Sequence, residues 1–286
     1  MDSIKVEYEQ VRENYLKKSR PDQQSTLAEA RANAVAIDWE GYQPPVPLHP
    51  GLNEFNDIDL AALVDYIDWS PFFRTWELAG HFPKILEDEV VGATATELYN
   101  DARAMLDKVI AEKWMSSRAV VGLFPAARDG DDVIVYADES RREEKHRFHF
   151  LRQQMSRKNG RANHCLADFI ASVDSGIPDY IGGFAVTTGL GIEKKLEEFK
   201  RTHDDYSSIM LKALADRLAE ALAEYMHEKT RKELWGYAKD EQLSSAELIK
   251  ENYRGIRPAP GYPACPEHSE KRGLFNLLNA EQRAGI

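Results

Sequence analysis

Apolar residues recur at helical spacing most clearly over Asp204–Tyr237, where Leu211, Leu214, Leu218, Leu222 and Tyr225 fall in one narrow stripe. Ala213, Ala215, Ala219, Ala221 and Ala223 surround that stripe, so neighbouring elements can approach closely. At about 100° per residue, Glu220 lies away from the leucines, near Asp216 and His227. The same spacing predicts helices over Asp59–Tyr66 and over Thr94–Lys113, the latter opened by the capping box Thr94-x-x-Glu97. Ser70-Pro71 reads as an N-cap followed by proline at the first helical position, which puts Asp68 and Trp69 at a junction between two helices. Shorter helices are predicted over Thr26–Val35 and over Ala246–Tyr253, the second after the capping box Ser244-x-x-Glu247 and ending at Gly255. Ile4–Lys18, with Val6, Tyr8, Val11 and Tyr15 among many charges, reads as an exposed helical lead-in.

In the middle of the chain the period changes. Ala119–Pro125 and Asp132–Tyr136 are β-rich runs joined by the hairpin signal Arg128-Asp129-Gly130-Asp131. Leu166–Ala171 and Asp179–Thr188 are two further strand candidates, with Gly176-Ile177-Pro178 between them. Strands joined by short turns and enclosed by helices, without βαβ alternation, predict an α+β fold with an antiparallel sheet.

Composition adds limits. The 286 residues are 43% apolar, enough for a sizeable core, and the length fits one large domain or two small ones. Lys and Arg number 37 against 48 Asp and Glu, a net charge of −11 that argues against a general nucleic-acid binder. No apolar run approaches the roughly 20 residues of a membrane span, and Met1–Gln10 has no signal-peptide core. Two cysteines, Cys165 and Cys265, imply no disulfide framework and fit a cytoplasmic location. Cys265 with His268, or His164 with Cys165, is at most half a zinc site, so no metal is expected. Gly189-Leu190-Gly191 lacks the full glycine pattern of a dinucleotide loop.

The segment Arg254–His268 holds the candidate chemistry. Its prolines, Pro258, Pro260, Pro263 and Pro266, stiffen the backbone, and Gly261 permits a close approach. Arg257 offers a planar fork for a carboxylate and Tyr262 a π face for a cation. A stiff loop carrying such groups loses little order on binding. A proline-rich corner with a surface salt bridge is the alternative on the residues alone.

Arg257-Pro258-Ala259-Pro260-Gly261-Tyr262-Pro263-Ala264-Cys265-Pro266 resembles the signature loop of the activation domain of cobalamin-dependent methionine synthase. Asp65–Phe73, Val120–Ala126, Leu151–Gln154 and Lys212–Ala221 are similar to that family in the same order. The resemblance implies a curved domain with a central twisted antiparallel sheet flanked by helices, spanning residues 25–286 after a lead-in over 1–24. It further implies a domain that binds S-adenosylmethionine and supports reductive methylation of cob(II)alamin. The cobalamin is held by a partner cobalamin-binding domain, and the electron comes from a flavodoxin-type reductase. By the same resemblance Arg257 takes the ligand carboxylate, Asp68 the cationic amino-acid end, and Tyr262 flanks the sulfonium. Ala259 and Gly261 lie where the loop backbone meets the ligand. Glu220 and Glu251 match acidic positions of the site, a solvated helix face being their other reading. The family continues past the equivalent of Ile286 with a further strand that touches the adenosyl part, so truncation relative to the family is expected. A corrinoid-docking protein that no longer uses S-adenosylmethionine is the competing reading. An independent methyltransferase has no nameable acceptor-activating base.

Overall fold

The structure, a computed structural model, describes residues 2–18, 24–156 and 160–286. Five strands form one antiparallel sheet: β1 (Gly51–Asn56), β2 (Ser116–Asp129), β3 (Asp132–Tyr136), β4 (Glu144–His149) and β5 (Asp179–Leu190). β2 is the hub. One of its edges pairs first with β1, Phe55 opposite Ala119, and then with β3, Ala126 opposite Val135. Its other edge pairs along its length with β5, Val120 opposite Ala185. The β2–β3 turn is the predicted hairpin, with Gly130 at φ 64° where a left-handed residue is needed.

The helices are α1 (Asp2–Lys18), α2 (Leu27–Ala32), α3 (Ser70–Thr75), α4 (Gly92–Ala111), α5 (Glu193–Arg201), α6 (Asp205–Lys229), α7 (Ser245–Ile249), α8 (Glu270–Leu278) and α9 (Ala280–Ala284). α4, α6, α8 and α9 flank the sheet because β2 is apolar on both sides. Ala119, Val121 and Leu123 pack with α4 and α6, whereas Val120, Phe124 and Ala126 pack with α8 and α9. Gly122 lets α8 sit directly on the sheet, since a Cβ there would lie 2.7 Å from Leu278 Cδ2. The leucine stripe of α6 is the spine of the larger core: Leu211, Leu214, Leu218 and Leu222 are fully buried. Leu214→Ala is therefore expected to cost about 2–5 kcal/mol in urea denaturation, as removal of a packed side chain that leaves a cavity.

Several boundaries differ from expectation. Leu166–Ala171 is not a strand: Leu166–Phe169 is a single 3-10 turn, since Asp168 accepts the Cys165 N–H and closes it. The strands β1 and β4 have no counterpart among the predicted elements. The helix expected to begin at Thr94 begins at Gly92, with the Asp88 carboxylate accepting from Val90 and Val91 N–H. Ser70 is the first helical residue rather than the cap, and its N–H donates to Asp68 Oδ1 at 2.9 Å. The long helix does not run to Tyr237. It passes at Thr230–Leu234 into one π-helical turn and stops before Gly236, at φ 81°. The final short helix ends at Ile249 rather than Tyr253, with its Ser244–Glu247 capping box present. The lead-in falls on α1, where Val6, Tyr8 and Val11 are exposed. Residues 19–23, beside the expected boundary at 24, lie outside the described residues, as does the side chain of Tyr15. No described helix is long and apolar enough to cross a membrane.

Candidate functional site

β5 pairs with no strand but β2 among the described residues, and a cleft of about 720 Å³ runs along it. Tyr180–Phe184 of β5 form its floor, where Gly182 and Gly183 keep the surface low. Glu220, Ala223 and His227 of α6 form one wall, Leu274 and Leu277 of α8 another, and the loop Arg254–Pro260 closes one end. The cleft thus has a charged end and an apolar floor. That combination suits a ligand with an amino-acid head and a larger flat, weakly polar body.

The charged end is built by α6, its π-helical turn and the proline loop. Arg257 Nη2 donates to Glu224 Oε1, and both side chains are largely buried. Arg257 Nε and Glu224 Oε2 are buried with no hydrogen-bond partner among the described residues. Burial pushes the Glu224 carboxyl up, the charges of Arg257 and Arg231 pull it down, and Glu251 and Glu220 push it up again. The balance is a raised carboxyl in a crowded acidic corner. Beside it, Arg231 is fully buried and held by Glu241, and its Nη1 donates to His227 Nδ1 at 2.7 Å. The Arg231 guanidinium lies 4.3 Å from the centre of the Tyr253 ring. Tyr253 in turn packs edge-on against His227, ring centres 4.7 Å apart.

His227 is held neutral. Burial, reinforced by the charges of Arg231 and Arg257, lowers its pKa from 6.5 to about 3. The unfolded chain binds this proton below about 6.5 and the folded chain does not, so folding stability rises with pH through that window. On acidification from pH 6.5 towards 3, wild type is expected to lose up to about 1.4 kcal/mol per pH unit more than His227→Asn, which cannot titrate. Urea midpoints against pH measure the difference, and parallel curves for the two proteins would refute it.

The candidate residues separate into two groups. Arg257, Ala259 and Glu220 line the cleft, and Glu251, in a left-handed conformation at φ 56°, is close enough to act on Glu224. Asp68, Gly261 and Tyr262 are not on the cleft wall among the described residues. Asp68 caps the turn into α3, and Tyr262 is 63% exposed. Gly261 serves the loop itself, because at φ 105° a Cβ would lie 2.3 Å from the His268 ring. The loop is folded internally by Gly261 N–H to Cys265 O and Cys265 N–H to Tyr262 O, and anchored to the body by Leu166 N–H to Ala264 O. Two residues that the sequence pattern does not single out matter most here, Glu224 and Tyr253. Glu224 had a signal available, since it sits one helical turn beyond Glu220.

No group of three or more His, Cys, Asp or Glu side chains forms a metal site among the described residues. Cys265 touches the cleft, but burial raises its thiol to about 11, which leaves it a poor nucleophile at neutral pH.

The family model for the vitamin B12 dependent methionine synthase activation domain matches residues 59–286. All seven candidate residues lie inside that span. A crystal structure of the MetH reactivation domain bound to AdoHcy superposes with a TM-score of 0.87 at 55% identity, covering 92% of this chain and 80% of that one. With the match extending over most of the chain, and with the proline loop and α6 meeting at one cleft, the protein belongs to the vitamin B12-dependent methionine synthase activation-domain family.

Proposed function

We propose that the cleft along β5 binds S-adenosylmethionine and presents its methyl group to cobalamin held by a separate domain, in the reactivation of methionine synthase. The observation that carries this reading is the likeness, at 55% identity, to a structure bound to AdoHcy, the demethylated counterpart of that ligand. The charged end of the cleft supports it. Arg257 takes the α-carboxylate through charge-assisted hydrogen bonds, and Ala259, on the cleft lining, sets the loop backbone against the ligand. Glu220 and Glu251 supply negative charge at the cleft, and by the family resemblance Asp68 and Tyr262, which lie off its wall, complete the site around the ammonium and sulfonium.

The chain's contribution is placement. It holds the sulfonium in line with an acceptor and needs no protein nucleophile, which accords with a buried, protonated Cys265. Cobalamin, bound by its own domain, supplies the methyl-accepting cobalt. The chain works as a methyltransferase component that does not turn over alone, in the cytoplasm, with a flavodoxin-type protein as electron donor.

Calorimetry with S-adenosylmethionine tests the reading. A saturable heat with one site per chain is expected. A folded protein giving no heat at millimolar ligand overturns it in favour of a corrinoid-docking protein that does not use S-adenosylmethionine.

A further inference from the structure

We propose that Glu224 is a positioning residue for Arg257, acting from behind the cleft wall and not on the ligand itself. The inference rests on the S-adenosylmethionine reading above. Arg257 sits on a proline-rich loop with no regular ladder of its own, so its backbone is stiff while its long side chain is free to rotate. Something outside the loop must fix the guanidinium plane for a fork-to-carboxylate contact to form.

Two groups do so. Glu224, on α6 and not on the cleft lining, takes Nη2 from one side. The Tyr253 hydroxyl lies against Arg257; burial leaves the phenol raised, and the arginine's charge and hydrogen bond offset part of that. Tyr253 is itself fixed by the Arg231 guanidinium at 4.3 Å and by the His227 ring edge. Arg231 is in place because the chain makes a π-helical turn at Thr230–Leu234, and Glu241 holds it there. Support thus reaches Arg257 on the loop from two sides, from Glu241 through Arg231 and Tyr253, and directly from Glu224 on α6.

The pair leaves Arg257 Nε, a buried donor, without an acceptor among the described residues. An unsatisfied buried donor costs stability unless something pairs with it. With Glu224 on Nη2 and Tyr253 against the guanidinium, Nε–H is the donor kept for a carboxylate. Glu224 also offsets part of the Arg257 charge, so the arginine can stay desolvated before ligand arrives.

Titrating wild type, Glu224→Ala and Glu224→Gln with two ligands tests this. S-adenosylmethionine carries the carboxylate, and 5′-methylthioadenosine has the adenosyl thioether without the amino-acid end. Glu224→Ala is expected to weaken S-adenosylmethionine roughly tenfold, the worth of one well-placed charged hydrogen bond, and to leave 5′-methylthioadenosine unchanged. Glu224→Gln keeps an acceptor for Nη2 and is expected to restore most of the affinity. Equal loss for both ligands would mean a purely structural role and overturn the proposal, as would no loss for either.

A second measurement needs no ligand. The Arg257 Nε–H, buried beside the Glu224 contact, is expected to give a slowly exchanging resonance in wild type and Glu224→Gln that disappears in Glu224→Ala; its persistence in Glu224→Ala overturns the proposal. If wild type binds neither ligand while that resonance behaves as expected, it is the S-adenosylmethionine reading that fails, and Glu224 holds Arg257 for some other carboxylate.

Discussion

Arg257→Ala is expected to weaken S-adenosylmethionine binding by roughly 30- to 150-fold, the equivalent of about 2–3 kcal/mol for removing a charge-assisted hydrogen bond from a desolvated site. Arg257 lines the charged end of the cleft with a fork matched to a carboxylate, whereas Arg254 of the same loop is engaged by the Tyr42 hydroxyl and the Tyr237 ring. Arg257→Lys keeps the charge but presents a single point donor, so it is expected to recover only part of the affinity. The alanine substitution also strips Glu224 of its cation, in a corner already shared with Glu220 and Glu251. Circular dichroism at the titration temperature separates that effect from binding. A folded Arg257→Ala protein with wild-type affinity would show that the carboxylate is held elsewhere.

The largest effect on stability is expected at Arg152, which is not part of the cleft lining. Arg152 is 6% exposed and bridges two carboxylates. Its Nη2 donates to Asp168 Oδ1 at 2.6 Å and to Asp131 Oδ1 at 2.7 Å, while Nη1 reaches Asn163 O at 2.9 Å. Asp131 also accepts from Arg31 at 2.8 Å, so the network joins the α2 segment, the β2–β3 hairpin and the Leu166–Phe169 turn. Burial pushes the Asp131 carboxyl up, but its hydrogen bonds to Arg31 and Arg152 and their positive charges win and leave it below the usual range. Arg152→Ala removes the shared cation and leaves buried Asp168 to the Cys165 N–H and to Arg128 at 4.0 Å. A loss of about 3–5 kcal/mol in urea denaturation is expected. A loss below about 1 kcal/mol would mean that water replaces the guanidinium at little cost.

How much of this was readable in the sequence depends on whether local pattern or distant partners shaped each part. α6 was readable because Leu211, Leu214, Leu218 and Leu222 repeat at helical spacing and all end fully buried. β2, β3 and their turn were readable from apolar runs on either side of Asp129-Gly130-Asp131. β1 and β4 were not: GLNEFN and EKHRFH are mostly polar, and they are strands because a ladder is offered by β2 and β3. Leu166–Ala171 misled in the other direction. Its apolar residues fill the smaller core, but Asp168 is turned inward to Arg152 and bends the backbone into a 3-10 turn. α8 had a visible signal in Leu274, Leu277 and Leu278, spaced for one helical face.

At the site, the loop was readable from its prolines and from the family resemblance, whereas its support was not. Glu224 lies 33 residues before Arg257, and Arg231 comes under Tyr253 only through a π-helical turn that no local pattern announces. Gly261 shows the limit of reading residue type alone. The residue suggested room for a ligand, and the room is filled by His268.

The central claim is that this chain delivers a methyl group from S-adenosylmethionine to cobalamin on another domain. The most direct measurement mixes the chain with a cobalamin-binding domain carrying cob(II)alamin, a one-electron reductant and methyl-labelled S-adenosylmethionine, and follows methylcobalamin by its absorbance and its label. Labelled methylcobalamin that forms only when the chain is present, and is largely abolished with Arg257→Ala, is the predicted result. Formation at the same rate without the chain, or none with a chain that demonstrably binds the ligand, would contradict it.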